Sequence, residues 1–371
     1  MDLKVLETVD VFLVSRHQRT SPHLGISRSI SELSTVLQYL NLKVCIISEG
    51  EDFEVRNSTS SLVELDIPKE PRILWSMWQL KLPHPVAAWI KNISLEFIDH
   101  AIIIVPVVGL QSYFLSMLTS PNLNKIATLH TPYSKSTPTG MLFFYLQKKT
   151  LRSADYIIAN SNTICEKYET PASDRVWVIP HYVEAHESRL ESSDSPRTGL
   201  RYLWIGALTL RKGADRLIRL IILGKRRVPI DVVWTRTRFS MPFELCLRFF
   251  NKLNWVNLHN RLSKRELDEI IEESSGLIST SRYESFGMTI VEAASHSKGL
   301  IAMYAPGIIE TLPETSNGAM YFAKVSQLNK YLEDASVKEL SVLGRNANEF
   351  YNTHYGLIPI SLRWDQILGS L

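Results

Sequence analysis

The chain has 371 residues, of which 45% are apolar and 21% are charged, and its formal net charge is +3. This length favours two domains, and the two percentages are ordinary for a globular protein. So small a net charge does not require nucleic acid as a partner, and we expect none. The cysteines Cys45, Cys165 and Cys246 form no metal-like pairs. They therefore predict reduced thiols and a cytoplasmic protein.

No basic start followed by an apolar stretch is found at the N-terminus, so we expect no signal peptide. The strongest candidate for a membrane span is Ala101–Leu118. Pro106 and Gly109 interrupt it, and it is better interpreted as a buried strand followed by the start of a helix.

In chain order, short apolar runs alternate with amphipathic stretches. Val9–Ser15 predicts a strand, Ser27–Leu40 a helix and Lys43–Ser48 a second strand, which together form one βαβ unit. Continuous apolar strands separated by helices are typical of a parallel sheet covered on both faces. Further strands are predicted at Arg72–Met77, Ile102–Pro106, Lys125–His130, Asp155–Ala159 and Val176–Pro180, and helices at Met141–Leu151 and Asn162–Tyr168.

The polar, Ser-rich segment Glu187–Gly199 predicts a linker between a first domain, 1–186, and a second domain, 200–354. Residues 355–371 contain a predicted helix, Ile360–Leu371, whose Trp364 would pack on the first domain or within the second. The second domain repeats the alternation. Its predicted strands are Tyr202–Ile205, Ile230–Trp234, Val256–His259, Gly276–Thr280 and Gly299–Met303, with helices that include Ala214–Leu223 and Lys264–Glu273.

The strongest chemical signal follows the predicted strand Gly276–Thr280, in the run Ser-Arg-Tyr-Glu-Ser-Phe-Gly-Met-Thr-Ile-Val-Glu. A helix that begins near Met288, beside the flexible Gly287, offers free backbone N–H groups to a phosphate. Glu284 and Glu292 flank this position, and carboxylates accept hydrogen bonds from sugar hydroxyls. The pattern suits a ligand with a pyrophosphate between two sugars. Alternatively, Glu284 caps the helix and Glu292 is solvated.

A second signal opens the second domain. Gly206 permits close approach at the end of the strand Tyr202–Ile205, and Arg211 and Lys212 would add positive charge to an anion site. The alternative is a solvated basic turn in which Gly213 serves only the backbone geometry.

Two features of the first domain are also candidates. His130 ends a predicted strand, where it would bind a sugar hydroxyl or transfer a proton, or be purely structural. Gly25 precedes the first helix and permits close approach of a ligand. Gly25 lies in a loop of about a dozen residues, a length that is often functional, although an ordinary exposed loop is the alternative. The cationic residues of this loop are Arg16, His17, Arg19 and His23.

The order and context of these features resemble the retaining glycosyltransferases of family 4, also called glycosyltransferase group 1. The family's E-x7-E motif is matched by Glu284 and Glu292, within Ser-x-Tyr-Glu-Ser-Phe-Gly. The resemblance spans nearly the whole chain, since three other segments match in order: Ala154–Ser161, Val176–Val183 and Val256–Leu267.

The resemblance implies an α/β fold of the GT-B type, in which two Rossmann-like doubly wound domains face a cleft. The first domain would take the acceptor and the second the nucleotide-sugar donor. Glu284 would bind the transferred sugar and Glu292 the ribose, while Arg211 and Lys212 would neutralise the leaving diphosphate. His130 would lie near the transferred sugar, and stereochemistry would be retained. The remaining donor-binding positions would be Gly25, Gly206, Ser285, Phe286, Gly287, Met288 and Thr289.

The implied donor is a UDP- or GDP-linked hexose, and the implied acceptor is a hydroxyl of a glycan, a lipid-linked saccharide or a small molecule. The resemblance implies no metal and no other cofactor. The basic end of the helix Met141–Leu151, with Lys148, Lys149 and Arg152, would suit peripheral contact with the inner face of a membrane. The alternative is a core-facing helix with a solvated end.

Four departures from the family's pattern affect the donor pocket. The first loop has Gly25 where two or three glycines are usual, and Ala207 stands where arginine is common, so that Arg211 would compensate. Ser297 and Pro306 also replace usual residues. They leave open a second hypothesis, a non-catalytic GT-B protein that binds a nucleotide-sugar or a partner. A sugar-nucleotide epimerase of the GT-B kind is disfavoured by the E-x7-E context.

Overall fold

A computed structural model describes residues 8–14, 25–50, 54–68, 102–106, 124–129, 138–170, 173–185, 199–224, 229–235, 237, 240–260 and 262–371. The chain forms two compact units. The first contains Met1–Tyr182 and Ile360–Leu371, and the second contains Val183–Pro359. The predicted linker, apart from Gly199, and the predicted strand Arg72–Met77 lie outside the described residues.

The first unit contains the predicted strands and helices that fall on described residues, together with two consecutive strands that were not predicted. Its described elements are β1 (Val11–Val14), α1 (Gly25–Tyr39), β2 (Val44–Gly50), β3 (Glu54–Ser58), β4 (Leu62–Pro68), β5 (Ile102–Pro106), β6 (Asn124–Leu129), α2 (Pro138–Ser153), β7 (Tyr156–Ala159), α3 (Asn162–Lys167) and β8 (Val176–Val178).

These strands form one sheet in the order β3-β4-β2-β1-β5-β6-β7-β8. Every described pairing is parallel except β3–β4, which is antiparallel. The sequence analysis predicted neither β3 nor β4. Polar residues dominate β3, and an edge strand with one solvated face lacks the continuous apolar pattern of a buried strand.

The last helix, α11 (Leu357–Leu368), ends in the first unit. Trp364 is buried and lines a small cavity with Ile30 and Leu33 of α1. Tyr156 donates a hydrogen bond to the carbonyl oxygen of Ser370 at 3.3 Å. The C-terminal segment is thus held by the first unit through both apolar and polar contacts.

The second unit contains β9 (Tyr202–Ala207), α4 (Ala214–Leu223), β10 (Ile230–Thr235), α5 (Met241–Lys252), β11 (Asn257–Asn260), α6 (Lys264–Glu273), β12 (Gly276–Ser279), α7 (Met288–Ser295), β13 (Gly299–Met303), α8 (Pro306–Thr311), β14 (Ala319–Phe322), α9 (Val325–Asp334) and α10 (Val337–His354). Every strand and helix that the sequence analysis named in this unit is present within a few residues, and α5, α8, α9, α10 and β14 are additional.

The second sheet is parallel throughout its described pairings and has the order β11-β10-β9-β12-β13-β14. Numbered from its own first strand, this is the 3-2-1-4-5-6 order of a Rossmann-like sheet. The direction of travel across the sheet reverses between β9 and β12. In such sheets a ligand binds beyond the carboxyl ends of the two strands that flank the reversal.

Helices cover both faces of the second sheet. Successive residues of a strand point to opposite faces, so neighbouring strand residues belong to different cores. Trp204 and Ile301 belong to a core that includes residues of α4, α5 and α9. Leu203 and Leu300, their neighbours in sequence, belong to a second core with residues of α7, α8 and α10. The helices α4 and α7, which follow the two central strands, therefore cover opposite faces.

A buried charge cluster joins three strands at the opposite, amino-terminal edge of this sheet. Asp231 of β10 is 1% exposed; its carboxylate accepts hydrogen bonds from Arg201 and lies 2.7 Å from Nε2 of His259. Burial alone would raise the pKa of Asp231, but the hydrogen bonds from His259 and Arg201, together with the guanidinium charge, outweigh it and lower that pKa. The folded state therefore favours the charged form of the Asp231 carboxylate.

All three cysteines are free thiols, and burial raises the pKa of Cys45 to about 12.

Within the described part of the chain, no helix has the length and apolarity needed to cross a bilayer. Met141 and Tyr145 of α2 are exposed, while Lys148 of the same helix lies 3.7 Å from Glu169. Peripheral membrane contact through α2 stays a prediction.

We predict that Asp231→Asn lowers the free energy of unfolding by about 1–3 kcal/mol at pH 7, because it removes a carboxylate that two partners hold. Since the pKa of Asp231 is lowered in the folded state, its contribution is present at neutral pH and is lost as pH falls below about 4. Urea unfolding at pH 7 and pH 3 measures this. The gap between wild type and variant should narrow at pH 3.

The matched control is Glu269→Gln, which removes an exposed carboxylate paired with Arg265 on α6. This change should alter the free energy of unfolding by no more than about 0.5 kcal/mol. Equal losses in the two variants, or a gap for Asp231→Asn that does not depend on pH, would contradict the interpretation.

Candidate functional site

The candidate site lies where β9 and β12 end, at the reversal of the second sheet. The loop 208–213 follows β9 and leads into α4, and the loop 280–287 follows β12 and leads into α7. Because α4 and α7 cover opposite faces, the two loops separate as they leave the sheet. Rossmann-like sheets bind ligands beyond the strand ends at such a reversal.

A two-oxygen ion pair joins these loops. Nζ of Lys212 donates to both carboxylate oxygens of Glu284, at 2.7 Å to Oε1 and 2.8 Å to Oε2. Their side chains are 19% and 10% exposed, respectively. The pair is therefore screened from most of the solvent, and the carboxylate and ammonium attract each other more strongly than an exposed pair would.

Two further residues contact the same carboxylate. The hydroxyl of Ser281 donates to Oε1 of Glu284 at 2.7 Å, and Arg211 Nη1 lies 3.9 Å from Oε2. The side chain of Arg211 is 49% exposed, so it is accessible to a ligand. With two cations against one carboxylate, this group of residues keeps a net positive charge.

The hydrogen bonds leave capacity on Glu284 for a ligand. A carboxylate oxygen accepts about two hydrogen bonds. Oε1 already accepts one from Lys212 and one from Ser281, whereas Oε2 accepts one from Lys212 alone among the described groups. A hydroxyl of a bound ligand would therefore donate its hydrogen bond to Oε2.

The backbone at Gly213 brings the two loops into contact. Gly213 has φ +70, and a Cβ on it would lie 1.9 Å from the carbonyl oxygen of Thr280. The hydroxyl of Thr280 donates to the Gly213 carbonyl oxygen at 2.9 Å and accepts from the indole N–H of Trp204 at 3.0 Å. Only glycine satisfies both the left-handed backbone and this approach. Gly213 thus determines where Lys212 meets Glu284.

Arg282 fastens the outer side of the same loops. Its backbone N–H donates to the Arg211 carbonyl oxygen at 2.8 Å, and its guanidinium donates to Leu210 O and to both oxygens of Asp215. The hydrogen bonds from Arg282 lower the pKa of Asp215. The loop that carries Lys212 is therefore held on both of its sides.

The first turn of α7 has one backbone donor available. Met288 N–H donates to Phe286 O, Ile290 and Val291 N–H donate to Gly287 O, and Gly287 N–H donates to the hydroxyl of Thr311. Of the first four N–H groups of α7, that of Thr289 is the one for which the described residues provide no acceptor. The N–H of Thr289 is thus available to a ligand, and the diphosphate contact of the backbone of 286–289 stays a prediction.

Helix α8 supports the loop from behind. Gly307 lies so close to Glu284 that a Cβ on it would be 1.9 Å from the Glu284 carbonyl oxygen. The Thr311 hydroxyl that accepts from Gly287 N–H donates in turn to Gly307 O at 2.8 Å. Pro306 is the first residue of α8, a position where proline is well tolerated. The departure at Pro306 therefore leaves a glycine, Gly307, at the position that approaches Glu284 most closely.

Other predicted residues of the second unit lie around this centre. Glu292 is buried on α7, one helical turn after the half-buried Met288 and on the same face. Phe286 is buried edge-on against Tyr355, with ring centroids 5.5 Å apart, so its side chain is structural. Ser285 precedes Phe286 in the loop, and Gly206 lies near the end of β9, paired with Trp234.

The predicted residues of the first unit are not all described. Gly25 is the first residue of α1. His130 and the cationic residues of the first loop lie outside the described residues. The structure therefore brings together Arg211, Lys212 and Glu284, and it leaves the role of His130 as a prediction.

The sequence analysis missed four residues that build the site: Thr280, Ser281, Arg282 and Asp215. Ser281 lies three residues before Glu284, a spacing that suits a local hydrogen bond, and this signal was available. The Arg282–Asp215 pair joins residues 67 positions apart, and no local pattern encodes such a contact.

We predict that Gly213→Ala lowers the free energy of unfolding of the protein by at least about 2 kcal/mol, because the new Cβ needs both a strained backbone and a displaced β12. Urea unfolding followed by the intrinsic tryptophan fluorescence of the protein measures the change. Gly224→Ala, at the other end of α4, is the control, since its Cβ would meet no atom closer than 3.5 Å. Equal free energies of unfolding for Gly213→Ala and Gly224→Ala would contradict a close contact between Gly213 and Thr280.

Family models match both halves of the chain. Residues 24–187 match Glycosyltransferase Family 4, and residues 187–350 match Glycosyl transferases group 1. A relative, the uncharacterized glycosyltransferase MJ1178 of Methanocaldococcus jannaschii, is 29% identical over 235 residues. That alignment covers 61% of this chain and 62% of the relative, so the match spans less than two thirds of the relative's length.

Solved structures with the same architecture cover almost the whole chain. Sucrose-phosphate synthase from Thermosynechococcus elongatus superposes with a TM-score of 0.75 at 15% identity, covering 98% of each chain. HepE from Anabaena, crystallised in complex with UDP, superposes with a TM-score of 0.72 at 15% identity, covering 98% of this chain and all of HepE. These likenesses show the fold. Together with the two family models, they show that the chain is a GT-B protein that belongs to the group 1 glycosyltransferases.

Proposed function

We propose that the chain is an active retaining glycosyltransferase that transfers a hexose from a UDP- or GDP-linked donor to a hydroxyl group. The observation that carries the proposal is the Lys212–Glu284 pair at the reversal of the second sheet. It combines, at one ligand position, cations for a diphosphate and a carboxylate for a sugar. HepE, which shares the fold, was crystallised with UDP, and this supports a nucleotide-linked donor.

In the proposed reaction, the bond between the anomeric carbon and the diphosphate oxygen breaks while the acceptor oxygen bonds to the same carbon. The acceptor's proton leaves with the nucleoside diphosphate or passes to solvent. Negative charge grows on the leaving diphosphate as its bond breaks. Lys212 and Arg211 would lie beside that position and stabilise the growing negative charge.

The remaining donor contacts follow from the same geometry. The N–H of Thr289, at the positive end of α7, would donate to a phosphate oxygen. Oε2 of Glu284 would accept from a hydroxyl of the transferred sugar, and Glu292 from the ribose. Because lysine and arginine supply the positive charge, we propose that the reaction proceeds without a metal ion or another cofactor.

The acceptor that we propose is a hydroxyl of a glycan, a lipid-linked saccharide or a small molecule, and the proposed compartment is the cytoplasm. Three free thiols fit a reducing compartment. A panel of UDP- and GDP-hexoses, tested first for thermal stabilisation of the protein, would identify the donor, because a ligand that binds only the folded state raises the melting temperature.

We predict that Lys212→Ala lowers kcat/KM for transfer by about 10²–10³-fold, since it removes a preorganised charge from the leaving group. Release of nucleoside diphosphate, measured with the stabilising donor and an acceptor panel, follows the reaction. The matched control is Lys264→Ala, which removes a lysine that pairs with Asp268 on the exposed surface of α6. The control should keep the wild-type rate within about twofold.

Equal rates for wild type and Lys212→Ala would contradict the assigned site. Donor binding without turnover across the whole acceptor panel would instead favour a non-catalytic nucleotide-sugar-binding protein, which is the alternative that the departures at Ala207 and Ser297 left open.

A further inference from the structure

A second concentration of positive charge lies in the second unit, in a pocket on the face covered by α4 and α9. The pocket lies beyond the carboxyl ends of β13 and β14, where Met303 and Ala323 form part of its wall. We refer to it as the basic pocket. The side chains that matter to its chemistry are Arg216, Arg219, Arg282, Lys324, Asp215 and Ser326.

The charge of the basic pocket is not balanced by its own residues. Among the described residues of its wall, Asp215 is the one acid, and both of its oxygens already accept hydrogen bonds from Arg282, at 2.7 and 2.6 Å. Across the described part of the chain, no carboxylate lies within ion-pair distance of Arg216, Arg219 or Lys324. Three cations from two different elements therefore face one concavity, and none of them forms an ion pair with a described carboxylate.

Arg216 is destabilised in its charged form by burial and by the neighbouring Arg282. Its guanidinium contacts the carbonyl oxygens of Thr280 and Ser281 only at 3.3 and 3.4 Å. Burial and the like charge of the nearby Arg282 lower the pKa of Arg216. An anion between the two guanidinium groups would relieve their repulsion and complete their hydrogen bonds.

The start of α9 adds neutral donors to the same pocket. Within α9, the N–H groups of Gln327 and Leu328 donate to Lys324 O, whereas the described residues provide no acceptor for those of Val325 and Ser326. The Ser326 hydroxyl lies in the pocket wall. Adjacent N–H groups, a hydroxyl and guanidinium forks are the donors that phosphate oxygens bind in proteins.

We propose that the basic pocket binds a phosphate-bearing anion, inorganic phosphate or a phosphomonoester, at a site separate from the nucleotide-sugar donor. Lys212 and Glu284 are absent from its wall, and α7, which would hold the donor's diphosphate, covers the opposite face of the sheet. Arg282 contacts the backbone of the Lys212 loop, so an occupant of the basic pocket would lie against the outer side of that loop.

The test is calorimetric titration of the full chain with inorganic phosphate and with glycerol 3-phosphate at constant ionic strength. The double variant Arg219→Gln/Lys324→Gln removes two exposed cations of the pocket and should weaken both ligands by about tenfold or more. The control Lys338→Gln/Arg345→Gln makes the same charge change at exposed positions of α10 and should leave both affinities unchanged. Lys212→Ala should also retain binding.

A vesicle arm separates the two sources of the phosphate. Sedimentation of wild type, but not of the double variant, with vesicles of phosphatidylcholine and phosphatidic acid would assign the anion to a lipid headgroup. Binding of free glycerol 3-phosphate without sedimentation would assign it to a soluble ligand. The proposal is overturned if neither ligand binds wild type, if the control weakens binding as much as the double variant does, or if Lys212→Ala alone abolishes binding. Equal melting temperatures of the variants exclude misfolding as the cause.

Discussion

In the second unit, the loop after β9 touches the carbonyl oxygen of Thr280 at a distance that permits no side chain on Gly213. This contact lies at the reversal of a parallel sheet, where two neighbouring loops must leave toward opposite faces. The contact fixes the backbone of both loops. Lys212 can therefore donate to both oxygens of Glu284, and Ser281 donates a further hydrogen bond to the same carboxylate. The chemistry of the site depends on that one approach, and α8 reinforces it from behind through Gly307.

The electrostatics of the same loops differ on their two sides. Toward α7, a carboxylate is held between two cations, so the site offers both an acceptor for hydroxyls and positive charge for a diphosphate. Toward α4 and α9, several cations line the basic pocket, and Asp215, the acid described there, is already bonded to Arg282. Arg282 connects the two sides, since its backbone and side chain hold the loop of Lys212 while its guanidinium faces the basic pocket.

Much of the fold was predictable because apolar periodicity encodes buried parallel strands directly. The run Gly299–Met303 is wholly buried and was predicted with its observed bounds. The edge strand β3 and its neighbour β4 were missed because polar residues interrupt the apolar run of each strand, which weakens the pattern. Of the site, the E-x7-E spacing and the Arg211-Lys212 pair were visible locally. The bidentate geometry, the role of Thr280 and the Arg282–Asp215 pair depend on contacts across about 70 positions of chain, which residue spacing does not encode.

The most direct test of the central claim compares how Glu284→Gln binds the nucleoside diphosphate and the complete nucleotide-sugar. If Glu284 holds the sugar while it also restrains Lys212, its loss frees the ammonium for the diphosphate. Calorimetry should then show unchanged or tighter binding of the nucleoside diphosphate, together with binding of the nucleotide-sugar that is weakened by about tenfold, or 1.4 kcal/mol. Equal weakening of both ligands, or no effect on either, would contradict a donor site built on the Lys212–Glu284 pair.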